Sequence, residues 1–513
     1  MLGRIFENLL AEVNPETGET ARKATGSYYT PRVIVDYMVE QSLKKYLLTK
    51  TTITEEKVNR LLSYEDEVQD FTDDEKNAVV VALKEIDIID PACGSGAFPM
   101  GILHRMLLAL EKIDPKLEMW RKQYLSTYHP VMRKIIEDKL RKGNEQYIRK
   151  LTIIQDSIYG VDIQPIAVEI AKLRCFLSLV VDELVLDNEE NRGIEPLPNL
   201  EFKFVAANTL IGLPSAASQS AFGITATVEK LKELRESYLR SFGAEKLQIE
   251  KEFRATQQKL FKENVEWALS DTLVKQLTEW DPFSYESCDW FDPEWMFGIS
   301  GGFDVVIANP PYIKEYVNRK AFDGLRDSSY YQGKMDIWYL FACQGIDHLR
   351  NNGVLTFIAQ NNWVTSYGAS KLRNKVISDT KILVLLDFGD YKIFETSGIQ
   401  TMVMIFRKDR GTDDYKFDYR RVLGDSVNFE DILDLLNQKI NSTNEYLMPT
   451  INRSKFFGKT LTFSASAINN IVRKTEKQAN FYLDAEKEVA QGIVYPQDKL
   501  NSKNKKILGG YLV

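Results

Sequence analysis

Seven short apolar runs with the composition of buried strands recur along the chain, separated by loops and helical patterns. They are residues 85–90 (EIDIID), 157–163 (SIYGVDI), 200–208 (LEFKFVAAN), 303–309 (FDVVIAN), 353–360 (GVLTFIAQ), 381–389 (KILVLLDFG) and 401–408 (TMVMIFRK). Runs rich in Val, Ile and Leu are covered on both faces, and helical stretches between them supply the crossovers that parallel neighbours need. The pattern restricts the chain to an α/β fold: a doubly wound, mostly parallel sheet with helices on both faces. Ligands of such sheets sit beyond the carboxyl ends of the strands. Residues 165–184 show the helical half of the pattern. Pro165 suits a first turn, and Ile166, Ile170, Leu173 and Leu177 share one face.

Two stretches interrupt the alternation. Residues 106–156 are largely helical and rich in Lys and Arg, and residues 227–279 read as a helical hairpin turning near Gly243. In the hairpin Val228, Leu231, Leu234, Tyr238 and Phe242 fall at helical spacing, as in a packing surface. After about residue 410 the alternation fades into a helical, increasingly basic segment, so a boundary is expected between 410 and 450. A chain of 513 residues exceeds what one core usually organises, which predicts two or three domains.

No apolar run approaches the about 20 residues that span a bilayer, and the N-terminus lacks the charged-then-apolar pattern of a signal peptide. The expectation is a cytoplasmic protein with no membrane partner. Cys93, Cys175, Cys288 and Cys343 are scattered, without zinc-site pairing, and the three histidines are far apart, so no metal is expected. The net charge of −7 argues against a polyanion partner, but residues 451–513 carry 11 Lys and Arg against 5 Asp and Glu. A basic segment on an acidic body can still bind nucleic acid locally.

The first run ends in DPACGSGAF (residues 90–98) and then a helical pattern. Gly94 and Gly96 in that turn let the backbone approach a ligand and aim helix N-terminal N–H groups at it. Asp90 can hold a cationic amine, and no Lys with Ser/Thr follows to handle phosphate, so a ligand with an ammonium group fits better than a nucleoside triphosphate. Asp162 closes the second run, where a ribose-binding acid is expected, although 66 positions separate it from Gly96. The helical insertion accounts for the delay, and a helix-capping Asp is the alternative. The fourth run stops abruptly in Asn309-Pro310-Pro311-Tyr312. An exocyclic amine on a heteroaromatic ring is a poor nucleophile, because its lone pair is delocalised into the ring. The Asn309 oxygen and the Pro310 carbonyl can take both amine hydrogens, the prolines lock the backbone, and Tyr312 offers a ring for stacking. A base in duplex DNA reaches such a site only by flipping out.

With these motifs in this order, the chain resembles the gamma-class amino methyltransferases of DNA that use S-adenosylmethionine. More narrowly, it is similar to the methyltransferase part of type IIG restriction-modification enzymes and related phage-defence enzymes. The resemblance implies a Rossmann-like class I methyltransferase fold acting on the N6 amine of adenine (EC 2.1.1.72), with double-stranded DNA as substrate and a nuclease or recognition partner. TGSYYTPRVIVDYM (residues 25–38) resembles the N-terminal cofactor motif, which implies that Thr30 and Pro31, with Tyr28 or Tyr29, lie near the methionine end of the cofactor. FVAANTLIG (residues 204–212) implies Asn208 near the cofactor adenine, and Ala92, Ile163 and Thr209 join the implied cofactor-binding positions. Residues 333–364 fit the helix and strand that follow, and residues 387–408 fit the motif whose aromatic, Phe394, helps hold the flipped base.

The implied organisation is an N-terminal helical segment with the cofactor motif (1–45), a methyltransferase domain (46–410, with helical insertions at about 106–156 and 213–290), and a linker with a truncated target-recognition region (411–513). QGIVYPQ (residues 491–497) resembles the start of that region, and LGRIFENLLAEVNPETGE at the other end resembles a stretch internal to longer relatives. A fragment lacking the nuclease and most of the recognition domain is therefore expected. Asn-Pro-Pro-Tyr also occurs in methyltransferases of release-factor glutamine and of ribosomal RNA guanine, and cytosine is another amine of the same kind. A truncated, non-catalytic cofactor- or DNA-binding chain is the remaining alternative.

Overall fold

The computed structural model describes Gly26, residues 28–463 and Lys474, with 69, 128–129, 142, 183–198, 214–224, 240, 242, 264–271, 395–397 and 425 excepted. Residues 491–497, the basic segment beyond 463, Phe242 and the N-terminal phrase singled out above lie outside the described residues. The described residues as far as Phe463 form one compact unit, and it is that unit which carries the site.

Among the described residues, three helices precede the first strand: α1 (Arg32–Lys50), α2 (Glu55–Leu62) and α3 (Asp73–Lys84). Local chemistry starts two of them. Thr54 caps α2, and Thr72 and Glu75 form a reciprocal capping box on α3. On α1 the buried residues Ile34, Val35, Met38, Val39, Leu43 and Leu47 recur at helical spacing. β1 (Ile88–Asp90) leads into α4 (Ala97–Ile113). Then α5 (Glu118–Tyr124), α6 (Pro130–Arg141) and α7 (Glu145–Ser157) occupy the basic insertion before β2 (Ile158–Asp162). After α8 (Pro165–Val180) and β3 (Phe204–Ala206), α9 (Thr225–Leu239) and α10 (Gly243–Glu263) make the expected hairpin. α11 (Thr272–Glu279) and α12 (Pro293–Phe297) lead to β4 (Phe303–Ala308), which α13 (Trp338–His348) links to β5 (Leu349–Gln360). The chain continues through α14 (Ser370–Asp379), β6 (Thr380–Asp387), β7 (Thr401–Lys408), β8 (Asp414–Lys416), β9 (Asp418–Val422), α15 (Phe429–Leu436), β10 (Asn444–Leu447) and β11 (Thr450–Asn452).

All seven apolar runs become strands of one sheet, in the order β10-β9-β6-β7-β5-β4-β1-β2-β3. The neighbours from β3 across to β5 are parallel. β7 runs antiparallel to both β5 and β6, which makes the sheet mostly rather than wholly parallel. Chain order reverses between β1 and β4, and the loops leaving those two strands diverge to open a crevice at their carboxyl ends. The opposite ends are tied by charge. Buried Asp304 accepts from Arg350 Nη1 at 2.8 Å, and Arg350 Nη2 reaches Asp87 at 2.6 Å.

Two features differ from the sequence pattern. Ile166, Leu173 and Leu177 on α8 face outward, and the helix packs through Ala167, Val168, Ala171, Cys175 and Leu179 instead. The reason is space. A Cβ on Gly96 would lie 3.1 Å from the Ala171 Cβ, so small residues must meet the glycine loop. The sheet also continues beyond residue 410, since β9 pairs in parallel with β6 and β10 closes that edge in antiparallel.

Candidate active site

The carboxyl ends of β1, β2, β3 and β4 surround a cavity of about 350 Å³. Its floor is the glycine loop. Gly94 (φ +51°) and Gly96 (φ +82°) take left-handed conformations, and beyond its own chain neighbours no atom lies within 4 Å of where a Gly94 Cβ would be. The loop is pinned by Cys93 N donating to the Val161 carbonyl at 2.8 Å and Arg174 Nη1 donating to the Ser95 carbonyl at 2.7 Å. Asp90, at the end of β1, accepts from the Ala92 amide at 3.1 Å through Oδ1. Its other oxygen is buried with no hydrogen-bond partner. Burial pushes the Asp90 carboxyl well above the usual carboxylate range; the Ala92 amide opposes this, and the Asp162 charge adds to it.

Asp162 ends β2 and holds two backbone amides at 2.9 Å, Gly94 through Oδ2 and Gln164 through Oδ1. It thus clamps the glycine loop and closes the turn that leads into α8, and burial raises its pKa against the pull of those amides. Beyond β3, Asn208 is fixed by its amide donating to the Cys288 carbonyl at 2.8 Å and by its own Oδ1 accepting from Leu210 N at 3.1 Å. Buried Thr209 donates to the Pro91 carbonyl at 2.7 Å, which ties the third strand to the first.

Asn309 leaves the end of β4. Its Nδ2 donates to the Tyr28 carbonyl at 2.7 Å and to Thr30 Oγ1 at 3.1 Å, and its Oδ1 accepts from the Tyr312 hydroxyl at 2.7 Å. That hydroxyl also lies 2.9 Å from the Ile358 carbonyl, and its single proton serves one acceptor at a time. The Tyr312 amide donates to the Gly26 carbonyl at 3.1 Å. Gly26 has φ +65°, and a Cβ there would stand 2.8 Å from Ile313 Cγ1 and 2.9 Å from the Tyr312 carbonyl oxygen. Only glycine permits so close an approach. Asp336 Oδ1 accepts from Ile313 N at 3.0 Å, while its Oδ2 is buried without a partner. Burial pushes the Asp336 carboxyl up to about 7.

Most of the positions read from the sequence meet at this cavity. Tyr29 and Thr30 reach it from the N-terminal motif, Asp90, Ala92 and Gly94 from β1, and Asp162 and Ile163 from β2. Asn208 and Thr209 reach it from β3, and Asn309 and Pro311 from β4. Pro31 instead stands at the position before α1, and Gly96 at the position before α4. Tyr312 and Phe394 do not line the cavity; their ring centroids are 6.1 Å apart, and the Tyr28 ring lies 5.6 Å from the first and 5.5 Å from the second. Sequence reasoning missed Phe98, Ile313, Ile337 and Phe341, which supply apolar wall. The helical spacing of Ile337 and Phe341 was the available signal, since it puts both on one face.

Residues 156–394 match the family described as Eco57I restriction-modification methylase. This segment is similar to Eco57I restriction-modification methylases. The match spans Asp162, Asn208, the Asn309–Tyr312 loop and Phe394, while the glycine loop and the N-terminal motif lie ahead of it. Outside the matched segment the likeness to known proteins continues. A Methanocaldococcus jannaschii protein, provisionally named a type II restriction enzyme and methyltransferase, is 25% identical over 80% of this chain and 37% of its own length. The Escherichia coli type II restriction enzyme and methyltransferase RM.Eco57I is 30% identical over 22% of this chain and 12% of its own. The Haemophilus influenzae type II methyltransferase M.HincII is 27% identical over 21% and 22%. The chain therefore spans little more than a third of the length of the M. jannaschii relative. Among solved structures, a DrdV-DNA complex aligns with TM-score 0.44 and 14% identity over 87% of this chain and 32% of that one. The type IIL restriction-modification enzyme MmeI in complex with DNA aligns with TM-score 0.41 and 12% identity over 87% and 42%. No described helix is long and apolar enough to cross a membrane.

Proposed function

We propose that this chain carries the catalytic part of a DNA methyltransferase that moves a methyl group from S-adenosylmethionine to the N6 amine of adenine in double-stranded DNA, as the modification activity of a restriction-modification system. The observation that carries the reading is Asn309. Its amide is held at the carboxyl end of β4 by Tyr28 and Thr30, beside a cavity that contains an unpartnered buried carboxylate.

The residues present suit that cofactor. Asp90 Oδ2 matches an ammonium group, because pairing would relieve the cost of its burial. Asp162 keeps lone pairs for ribose hydroxyls, and the space beside Gly94 admits a ligand against the backbone. Thr30 and Tyr29 take the methionine end in this proposal, with Pro31 behind them at the start of α1, and Ala92, Ile163, Asn208 and Thr209 take the nucleoside. When bound, S-adenosylmethionine supplies a sulfonium methyl, an electrophile for a neutral amine.

The chain's own task is to make the amine nucleophilic. Asn309 Oδ1 and the Pro310 carbonyl accept the two amine hydrogens and so stabilise the positive charge that grows on the nitrogen. The Tyr312 hydroxyl can turn to the Ile358 carbonyl at 2.9 Å, which leaves the whole Asn309 oxygen to the amine. After transfer the nitrogen carries the methyl and both hydrogens, which the same two acceptors hold until one leaves as a proton to water. Tyr312 and Phe394 take the faces of the flipped base, and a cytoplasmic setting and a nuclease or recognition partner belong to the same proposal.

The test is transfer of labelled methyl from S-adenosylmethionine to mixed DNA, RNA and protein acceptors. Label enters DNA, and Asn309→Ala slows it about 100-fold, as for loss of an oxyanion-type partner. Cofactor binding with transfer to RNA or protein alone, or to nothing, would sink the reading for this chain.

A further inference from the structure

We propose that the Tyr28 ring occupies the slot meant for the target base, so that a base enters only when this side chain rotates out while its backbone stays clipped in place. The proposal rests on the base-slot reading of Tyr312 and Phe394 given above. Three rings touch one another here: Tyr28 and Tyr312 are stacked at 5.6 Å and 26°, Tyr28 and Phe394 lie at 5.5 Å and 32°, and Tyr312 and Phe394 at 6.1 Å and 52°. All three distances are those of direct aromatic contact, so no room remains for a purine between the last two.

Tyr28 also stands on the wall of the cavity, whereas Tyr312 and Phe394 do not. It therefore separates the two partners that the reaction must join: the cofactor site on one side and the base-holding pair on the other. An adenine laid on Tyr312 with its amine at Asn309 would need the space that the Tyr28 ring takes.

The backbone around Tyr28 is not free to carry the ring away. Its carbonyl accepts from Asn309 Nδ2 at 2.7 Å, and the Gly26 carbonyl accepts from the Tyr312 amide at 3.1 Å. Gly26 is in van der Waals contact with Tyr312 and Ile313, which a side chain there would break. Moving this strap would release Asn309 itself. Side-chain rotation opens the slot and keeps the amide aimed, so Tyr28 acts as a positioning residue. Its carbonyl orients Asn309 and its ring competes with the base.

Competition has a sign that damage does not. Removing the ring vacates the slot and tightens base binding, whereas a misfolded site binds more weakly. The probe is 2-aminopurine deoxyriboside, a fluorescent adenine analogue quenched by stacking, titrated against the full chain. Tyr28→Ala and Tyr28→Leu bind it up to about 10-fold more tightly than the wild type, the worth of the aromatic contacts released. Tyr28→Phe, which restores the ring, binds like the wild type, and Phe394→Ala removes the gain. Equal or weaker binding by both ring-less variants, with Phe394→Ala still weakening the wild type, would overturn the proposal and leave the base slot standing. Binding that ignores Phe394→Ala in every background would overturn the base slot, and the proposal with it.

Discussion

Asp90 is the residue whose chemistry is most exposed to a simple test. Its buried carboxyl has a pKa well above the usual range, chiefly from burial. On its own this favours the folded state at low pH and is lost as pH rises through the raised value. A bound ammonium group reverses the preference, because it stabilises the ionised form. Affinity for S-adenosylmethionine is therefore expected to climb as pH rises toward and through the raised value of the free carboxyl. Asp90→Asn is expected to flatten that climb, as read by titration calorimetry. An unchanged pH profile would remove Asp90 from the cofactor's amine. Asp90 and Asp162 were legible in the sequence because each closes an apolar run, and the end of such a run marks the ligand side of a parallel sheet. The Tyr28 ring was not legible in the same way. Its partners, Tyr312 and Phe394, come from distant parts of the chain, and no local pattern encodes which ring meets which.

At the scale of elements, two buried charges hold the loops and strands that present the site. Asp336 sits between Ile313 and α13, with its carboxyl pushed up to about 7 by burial. The folded pKa is raised, so its stabilising effect is complete below the unfolded value of about 3.9 and is lost as pH rises through about 7. Wild-type stability should accordingly fall relative to Asp336→Asn across that window, by an upper bound of about 4 kcal/mol. Chemical denaturation at a series of pH values reads this, and parallel pH curves for the two proteins would contradict it. At the opposite ends of the strands, Arg350→Met strips buried Asp304 of its closest cation and leaves Lys50 at 3.4 Å. A loss of about 3 kcal/mol is expected, and an unfolding midpoint within error of the wild type would refute it. The seven strands were legible because their composition is that of doubly covered runs. The reversal of β7 was not, since an apolar run of eight residues reads alike in either direction. The face of α8 misled for a steric reason: close packing on Gly96 outweighs the burial of Ile166 and Leu177.

At the scale of the whole molecule, the site is a junction of distant segments. The N-terminal strap, the glycine loop, the end of β2 and the β4 loop converge because chain order reverses between β1 and β4. The sequence shows each segment, and the sheet order explains why they meet. The fading alternation after residue 410 reflects the short, half-polar strands of an edge, for which β9 and β10 need fewer apolar residues than the centre. The central claim is that this junction methylates the amine of adenine. It is tested most directly by incubating the full chain with labelled S-adenosylmethionine and duplex DNA of mixed sequence, digesting to nucleosides and identifying the labelled one by mass. Label in N6-methyldeoxyadenosine, lost with Asn309→Ala, is the predicted result; label in N4-methyldeoxycytidine, or equal labelling by the variant, would contradict it.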